Sequence, residues 1–343
     1  MAAAQPVKVA PKPAAQAPKP AALPVVKHLT IDEGSAGQRL DNFLLRELKG
    51  VPKTHVYRVI RAGEVRVNKG RASADTRLEL GDVVRVPPVR LPERGAQAAV
   101  PAREFPVVFE DEHLLVVDKP AGVAVHGGSG VSFGVIEQLR QSRPQAKFLE
   151  LVHRLDKETS GLLLIAKKRS ALTHLQDQFR ERETGKTYAA LVWGAWPANK
   201  KVIDVALLKF TGADGERWVR PVTSSHDPQA EQAKRSISLV KLVEVCGACS
   251  LLDVTIKTGR THQIRVHLTH EGHAIVGDPK YGDFEANRAL ARGALRFERM
   301  FLHARRLRFT HPSTGAELDL SAPLPAECEQ LLAALRHAAG TQA

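Results

Sequence analysis

An α+β fold in two domains is what this sequence predicts. Strand-like and helix-like runs are mixed along it without the steady strand–helix–strand rhythm of a doubly wound parallel sheet. Its 343 residues are enough for two domains and a sizeable core. A Pro-, Arg- and Ala-rich stretch over 91–104 reads as a linker between a compact segment, 36–90, and a larger one, 105–335.

The first 27 residues are almost entirely Ala, Pro, Lys, Val and Gln. Such a composition cannot bury enough apolar surface to offset its ordering entropy, so 1–35 is expected to be a disordered, basic tail. Without a continuous apolar run, Arg or Ser, those 27 residues suit neither a secretory signal nor a transit peptide.

In 36–90, Leu40, Phe43, Leu44 and Leu48 share one face of a helix expected over 38–48. Thr54 is placed to cap a second helix, with Val56, Val59 and Ile60 inward and Gly63 at its end. Residues 64–68 alternate as a strand, Gly81-Asp82 marks a turn, and 83–86 is a closing strand. Arg58, Arg61, Arg66, Lys69 and Arg71 gather around the second helix and the turn after it, with Glu64 the only acid over 55–71. A solvated helix face carries both signs of charge; this one-sided set points to phosphate.

The larger segment opens with two apolar runs around the acidic pair Asp111-Glu112, a hairpin. A helix is expected over 170–183 with Ala171, Leu172, Leu175 and Phe179 inward, strands over 186–194 and 251–257, and a short helix capped by Thr261 that ends at Gly272.

Lys+Arg 50 against Asp+Glu 37 leaves a net charge of +13, the electrostatic footprint of a nucleic-acid partner. No apolar run approaches a membrane span. Three cysteines make no disulfide framework, which suits the cytoplasm; Cys246-Gly247-Ala248-Cys249 has no second pair to complete a zinc site and reads as a turn between strands. His262 and His267 are five apart and diverge on a helix, and His270 and His273 lack a third ligand, so no metal is expected. Neither a Walker-type loop nor a GxGxxG opens a helix.

The run His153-Arg154-Leu155-Asp156-Lys157-Glu158-Thr159-Ser160-Gly161 carries the most information. It sets Asp156 between two cations, which favours a charged carboxylate, and then enters the apolar segment 162–166. Alone, an Arg-x-Asp is more often a loop salt bridge ahead of a strand. Glu158 would point the same way as Asp156 along an extended backbone, so no second carboxylate is expected across a cleft.

Arg39-Leu40-Asp41, followed by Val59-Ile60-Arg61-Ala62-Gly63-Glu64-Val65-Arg66-Val67-Asn68-Lys69-Gly70, resembles the S4 RNA-binding domain. Three further runs join the Asp156 run: Lys186-Thr187-Tyr188; Lys257-Thr258-Gly259-Arg260-Thr261-His262-Gln263-Ile264-Arg265-Val266-His267-Leu268; and Phe301-Leu302-His303-Ala304 ahead of Leu307-Arg308-Phe309-Thr310-His311-Pro312. Together, and in this order, they are similar to the motifs of the RNA pseudouridine synthases of the RluA group.

The resemblance implies an S4 domain followed by a mixed, mostly antiparallel-sheet catalytic domain that isomerises uridine to pseudouridine without a cofactor. It implies large-subunit (23S) ribosomal RNA as the partner, with no membrane and no obligate protein partner. Asp156 becomes the catalytic carboxylate, attacking sugar or base or removing a ribose proton. Arg265 becomes its partner, able to grip a carboxylate with two bonds. Tyr188 becomes the aromatic wall, with a hydroxyl available to a proton at C5. Arg154 would fill the RNA stack after the nucleotide flips out, or hold a phosphate. Arg260, at a helix start with Gly259 and Thr261, would meet an anion. Leu302 would pack beneath the base or serve only the core, and Arg58, Arg61, Arg66 and Lys69 would hold RNA phosphates. A synthase for other ribosomal or transfer RNA uridines, or a non-catalytic S4-type ribosome-assembly protein, shares the first domain and the charge.

Overall fold

Four residues that the composition assigns to the tail, Lys27–Thr30, form strand β1, and Ile31 directly after them is fully buried. Short strands of this kind are stabilised by pairing, which composition does not register. The structure, a computed structural model, describes residues 25–48, 50–89, 100–128, 131–213 and 215–340. Residues 1–24 of the tail expected over 1–35, and 91–99 of the linker expected over 91–104, lie outside them. The chain divides into two units, Met1–Arg94 and Gly95–Ala343.

In the first unit β1 is followed by α1 (Leu40–Glu47), α2 (Lys53–Arg61), β2 (Arg66–Val67), β3 (Gly70–Arg71) and β4 (Val83–Val86). The sheet order is β1-β4-β2-β3. Leu40, Phe43, Leu44 and Leu48 pack with Val56, Val59 and Ile60 into one core, as their helical spacing dictates. Thr54 does not cap α2. Pro52 takes the cap position without a side-chain hydrogen bond, and Thr54 lies within the first turn. The strand expected over 64–68 shrinks to two residues because Asn68 and Lys69 both adopt positive φ. That pair is the signature of a tight type I′ hairpin, and it lifts Lys69 to the tip between β2 and β3.

The second unit runs β5 (Val107–Glu110), β6 (Leu114–Lys119), α3 (Val135–Ser142), β7 (Glu150–Leu151), β8 (Ser160–Ala166), α4 (Arg169–Glu181), β9 (Gly185–Trp193), β10 (Val202–Asp204), β11 (Ala206–Thr211), β12 (Arg217–Val222), β13 (Ile237–Cys246), β14 (Cys249–Ile256), α5 (Gln263–His270), α6 (Phe284–Arg292), β15 (Leu302–Thr310), β16 (Glu317–Ser321) and α7 (Ala326–Gly340). A sheet in the order β10-β13-β14-β9-β15-β8-β6-β5 spans the unit, and among these neighbours only β15 and β8 run parallel. Strands β11 and β12 pair with each other in a separate ribbon.

Both faces of the central strands are covered, which is why they read as unbroken apolar runs. Leu115, Val117, Leu163 and Ile165 face a core shared with α3 and α5. Their alternates Leu114, Val116, Leu162 and Leu164 face a second core with α4. Cys246 and Cys249 oppose each other where β13 turns into β14, so the CxxC spacing is a hairpin end. Thr261 does not cap α5: His262 holds that position, with φ +53°. At the expected linker's end, Glu104 is fastened by Arg143.

Candidate active site

Asp156 lies in the loop between β7 and β8, and several fixings shape that loop. The backbone N–H of Thr159 donates to the Asp156 carbonyl (3.2 Å), closing a tight turn. Residues 156–159 are therefore not extended, contrary to expectation, and the run does not simply project Glu158 beside Asp156. Lys119, fully buried at the end of β6, donates to the carbonyls of Pro120, Val123 and Lys157 at 2.8–3.0 Å. Three acceptors match the three N–H groups of an ammonium, although burial pulls this amine down to about 7. At the loop's exit Gly161 (φ +107°) crosses the backbone of Ala304; a Cβ there would lie 2.4 Å from the Ala304 carbonyl oxygen. Glycine alone lets β8 seat beside β15 at this point.

The Asp156 side chain is 28 % exposed and opens into a cleft of about 670 Å³. Arg265 Nη1, from α5, donates to Asp156 Oδ2 at 3.4 Å. The two-bond grip goes elsewhere. Arg265 Nε and Nη2 each donate at 2.8 Å to Asp278, whose side chain is fully buried. The sequence reading missed Asp278, and expected its grip on Asp156. Burial pushes the Asp278 carboxyl up, but the Arg265 hydrogen bonds and charge, with the N–H groups of Tyr281 and Lys280, outweigh it and hold it below the usual range. Gly277 (φ +75°) sets Asp278 in place, because any side chain there would collide with the Arg299 carbonyl.

Two further side chains join without having been foreseen. Tyr281 places its ring 5.1 Å from the Arg265 guanidinium, a cation–π contact. His262 Nε2 stands 4.0 Å from Asp156 Oδ2. Burial pulls its imidazole below the ordinary range, against the opposing pull of Asp156.

Tyr188 and Leu302 form the apolar wall, both buried in the core behind the cleft and both lining it. Tyr188 sits on β9 between Val254 and Ala304 of the flanking strands. Burial, then the nearby Asp156 charge, pushes its phenol above the ordinary range, so it keeps its proton at neutral pH. His153 is structural: it accepts the Leu164 N–H (3.1 Å), stacks on Phe179 (4.8 Å between ring centres), and is lowered to about 4 chiefly by burial.

The rim is cationic. Arg154, Lys209, Lys257 and Arg260 are exposed and line the cleft, and among the described residues none of the four makes an ion pair. The expected anion cradle at Arg260 is partly occupied, because its backbone N–H already donates to Gln263 Oε1 (3.1 Å). Its guanidinium remains available.

In the first unit Arg58, Arg61, Lys69 and Arg71 are exposed, whereas Arg66 is half-buried and donates to the Gly63 carbonyl at 2.8 Å. Arg58 lies 3.3 Å from His55. A concavity of about 380 Å³ opens beside Tyr57, Ile60, Arg61 and Arg71.

This arrangement offers one accessible carboxylate, a buried guanidinium–carboxylate clamp behind it, an apolar wall with a phenol, and a ring of cations. Two opposed carboxylates, as hydrolysis of a glycosidic bond normally requires, are not its pattern, since Asp278 is buried and gripped. It suits a flat base on a polyanionic chain, handled by a single carboxylate.

The S4 domain family matches residues 38–84 and the RNA pseudouridylate synthase family residues 113–270. The chain is 50% identical over 318 residues to the ribosomal large subunit pseudouridine synthase C of Pasteurella multocida, covering 91% of this chain and 94% of that one. It is 48% identical over 321 residues to the protein of that name from Escherichia coli K12, covering 92% and 98%. Among solved structures, human RNA pseudouridylate synthase domain containing 4 aligns with a TM-score of 0.54 at 26% identity, over 67% of this chain and 93% of that one. Human RNA pseudouridylate synthase domain containing 1 aligns at 0.53 and 27%, over 68% and 95%.

Proposed function

This chain belongs to the RNA pseudouridylate synthases, with an S4 domain ahead of the catalytic domain, and from that premise we propose that it converts specific uridines of 23S ribosomal RNA into pseudouridine. The observation that carries the reading is Asp156 opening into a cation-rimmed cleft while Arg265 steadies it from behind. Relatives named for the ribosomal large subunit, at about half identity along nearly the whole chain, support the choice of RNA. Such a substrate fits a cytoplasmic protein, and no helix among the described residues is long and apolar enough to cross a membrane.

The reaction breaks the bond between N1 and C1′, turns the uracil, and joins C5 to C1′. C5 loses its proton and N1 ends protonated, so no atom is gained or lost and one carboxylate suffices. Asp156 acts as nucleophile or base. Arg265, neutralised by Asp278, holds that carboxylate in its aim. Tyr188 and Leu302 back the base, and the phenol stands by the proton at C5. Arg154 occupies the gap that the flipped nucleotide leaves, offsetting an extrusion cost of a few kcal/mol. Arg260, with Lys209 and Lys257, holds the flanking phosphates, and Arg58, Arg61, Arg66 and Lys69 hold RNA through the S4 domain.

Mapping pseudouridines in ribosomal RNA from cells with and without the protein tests the assignment directly. Sites that vanish from large-subunit RNA are expected; an unchanged map overturns it. A second expectation concerns the S4 domain. Replacing Arg58, Arg61 and Lys69 together with Ala should flatten the salt dependence of RNA binding, each lost phosphate contact lowering the log–log slope by roughly 0.7. Turnover at saturating RNA should be unaffected; unchanged binding with slowed chemistry would count against an RNA-holding role.

A further inference from the structure

A second line of polar groups ends on the same carboxylate. Tyr281 Oη accepts the backbone N–H of Val219, in β12, at 3.0 Å and lies 2.8 Å from His262 Nδ1. His262 Nε2 in turn faces Asp156 Oδ2 across 4.0 Å.

Counting hydrogens assigns the directions. The phenol has one hydrogen to give, and its oxygen already accepts from Val219. A proton on Nδ1 would donate to that same oxygen and leave the phenolic hydrogen without a partner in this line. With the Tyr281 O–H donating to Nδ1, every group is matched, and the imidazole proton sits on Nε2, aimed at Asp156.

Tyr281 is built to hold that setting. Its backbone N–H donates to Asp278 Oδ1 (3.0 Å), its carbonyl accepts the Thr269 hydroxyl (3.0 Å), and its ring packs against Arg265 and edge-on to Trp218 and His262. His262 keeps its ring at the cleft at φ +53°, a conformation that side-chain-bearing residues seldom adopt. The charged groups facing the imidazole are Asp156, Arg265, Lys280 and Asp278, and burial keeps it neutral among them.

We propose that His262 is a positioning residue for the isomerisation: its Nε2–H closes onto Asp156 Oδ2 when RNA fills the cleft, with its tautomer set by Tyr281. Arg265 reaches the same oxygen, so both donors hold Oδ2 and leave Oδ1 to the nucleotide. The gap must shorten by about 1 Å, as catalytic hydrogen bonds commonly do on substrate binding. The proposal rests on the pseudouridine synthase reading above.

Nitrogen-15 NMR of the imidazoles in the full-length protein without RNA, with His262 assigned by its loss in His262→Ala, reads the tautomer directly. The Nε2–H form is expected at neutral pH in the unsubstituted protein, shifting towards Nδ1–H in Tyr281→Phe. Single-turnover pseudouridine formation on an in-vitro 23S transcript supplies the second readout. His262→Ala and Tyr281→Phe should slow it on the order of tenfold to a hundredfold at saturating transcript, without weakening transcript affinity. His262→Gln, which returns an N–H near the Nε2 position, should recover most of the rate. An Nδ1–H tautomer in the unsubstituted protein, equal losses in His262→Gln and His262→Ala, or a loss in affinity alone overturns the proposal. An unsubstituted protein that binds the transcript yet makes no pseudouridine overturns the synthase reading instead, while the tautomer still judges the placement of His262.

Discussion

Asp156→Asn is expected to abolish pseudouridine formation while leaving the protein folded and able to bind RNA. The amide matches the carboxylate in shape and lacks its charge, so it serves as neither nucleophile nor base. Losing such a group in other enzymes removes on the order of 10⁴-fold or more of the rate. Folding should be insensitive, because the side chain is 28 % exposed and its one hydrogen bond to Arg265 is long, at 3.4 Å. Arg265 stays neutralised by Asp278. Binding should hold as well, since the change removes a negative charge from a surface that meets phosphates. Tritium release from RNA labelled at uridine C5 reads the chemistry, and filter binding reads the affinity. Sustained release by the amide variant would sink the role given to Asp156.

Asp278→Ala should damage both stability and rate. Arg265 has only 5 % of its side chain exposed and would keep its charge with the two-bond partner gone. Removing one partner of a buried pair costs about 3–5 kcal/mol. In a unit of this size that is a fall in melting temperature of roughly 6–20 °C. The released guanidinium is also free to swing onto Asp156, clamping the very oxygen that must reach the nucleotide. A rate loss on the order of a hundredfold at saturating RNA follows from a displacement of about 1 Å. Calorimetry and single-turnover kinetics at a temperature where the variant is folded separate the two effects. A variant as stable and as fast as the parent would show that Asp278 clamps nothing.

The parts of this molecule legible in its sequence are those written in local patterns. Leu40, Phe43 and Leu44 repeat at helical spacing and are buried on one helix. The apolar run of β8, closed by Ser160-Gly161 on one side, locates the loop that carries Asp156. What was not legible depends on residues far apart. Asp278 follows a glycine and precedes a proline, which reads as a turn; its importance appears only when Arg265 is buried against it. The same limit explains the caps. Thr54 and Thr261 have the right chemistry, but Pro52 and His262 stand where the chain enters α2 and α5. Tyr281 and His262 gain meaning from hydrogen bonds to Val219 and proximity to Asp156, contacts that no spacing rule contains.

Strand β15 lies between β9 and β8, so the middle of the large sheet is filled by the strand that leaves the ribosome almost last. During synthesis β8 can pair with β6 and β7, and β9 with β14, while the edge of β9 that β15 will cover waits bare. At ordinary translation speeds that edge stays open for roughly five to twenty-five seconds. An unpaired strand edge is a template for any other unfinished chain. A chain truncated just before Leu302 should therefore aggregate in place of staying in solution, because the strand that fills the sheet's middle never arrives.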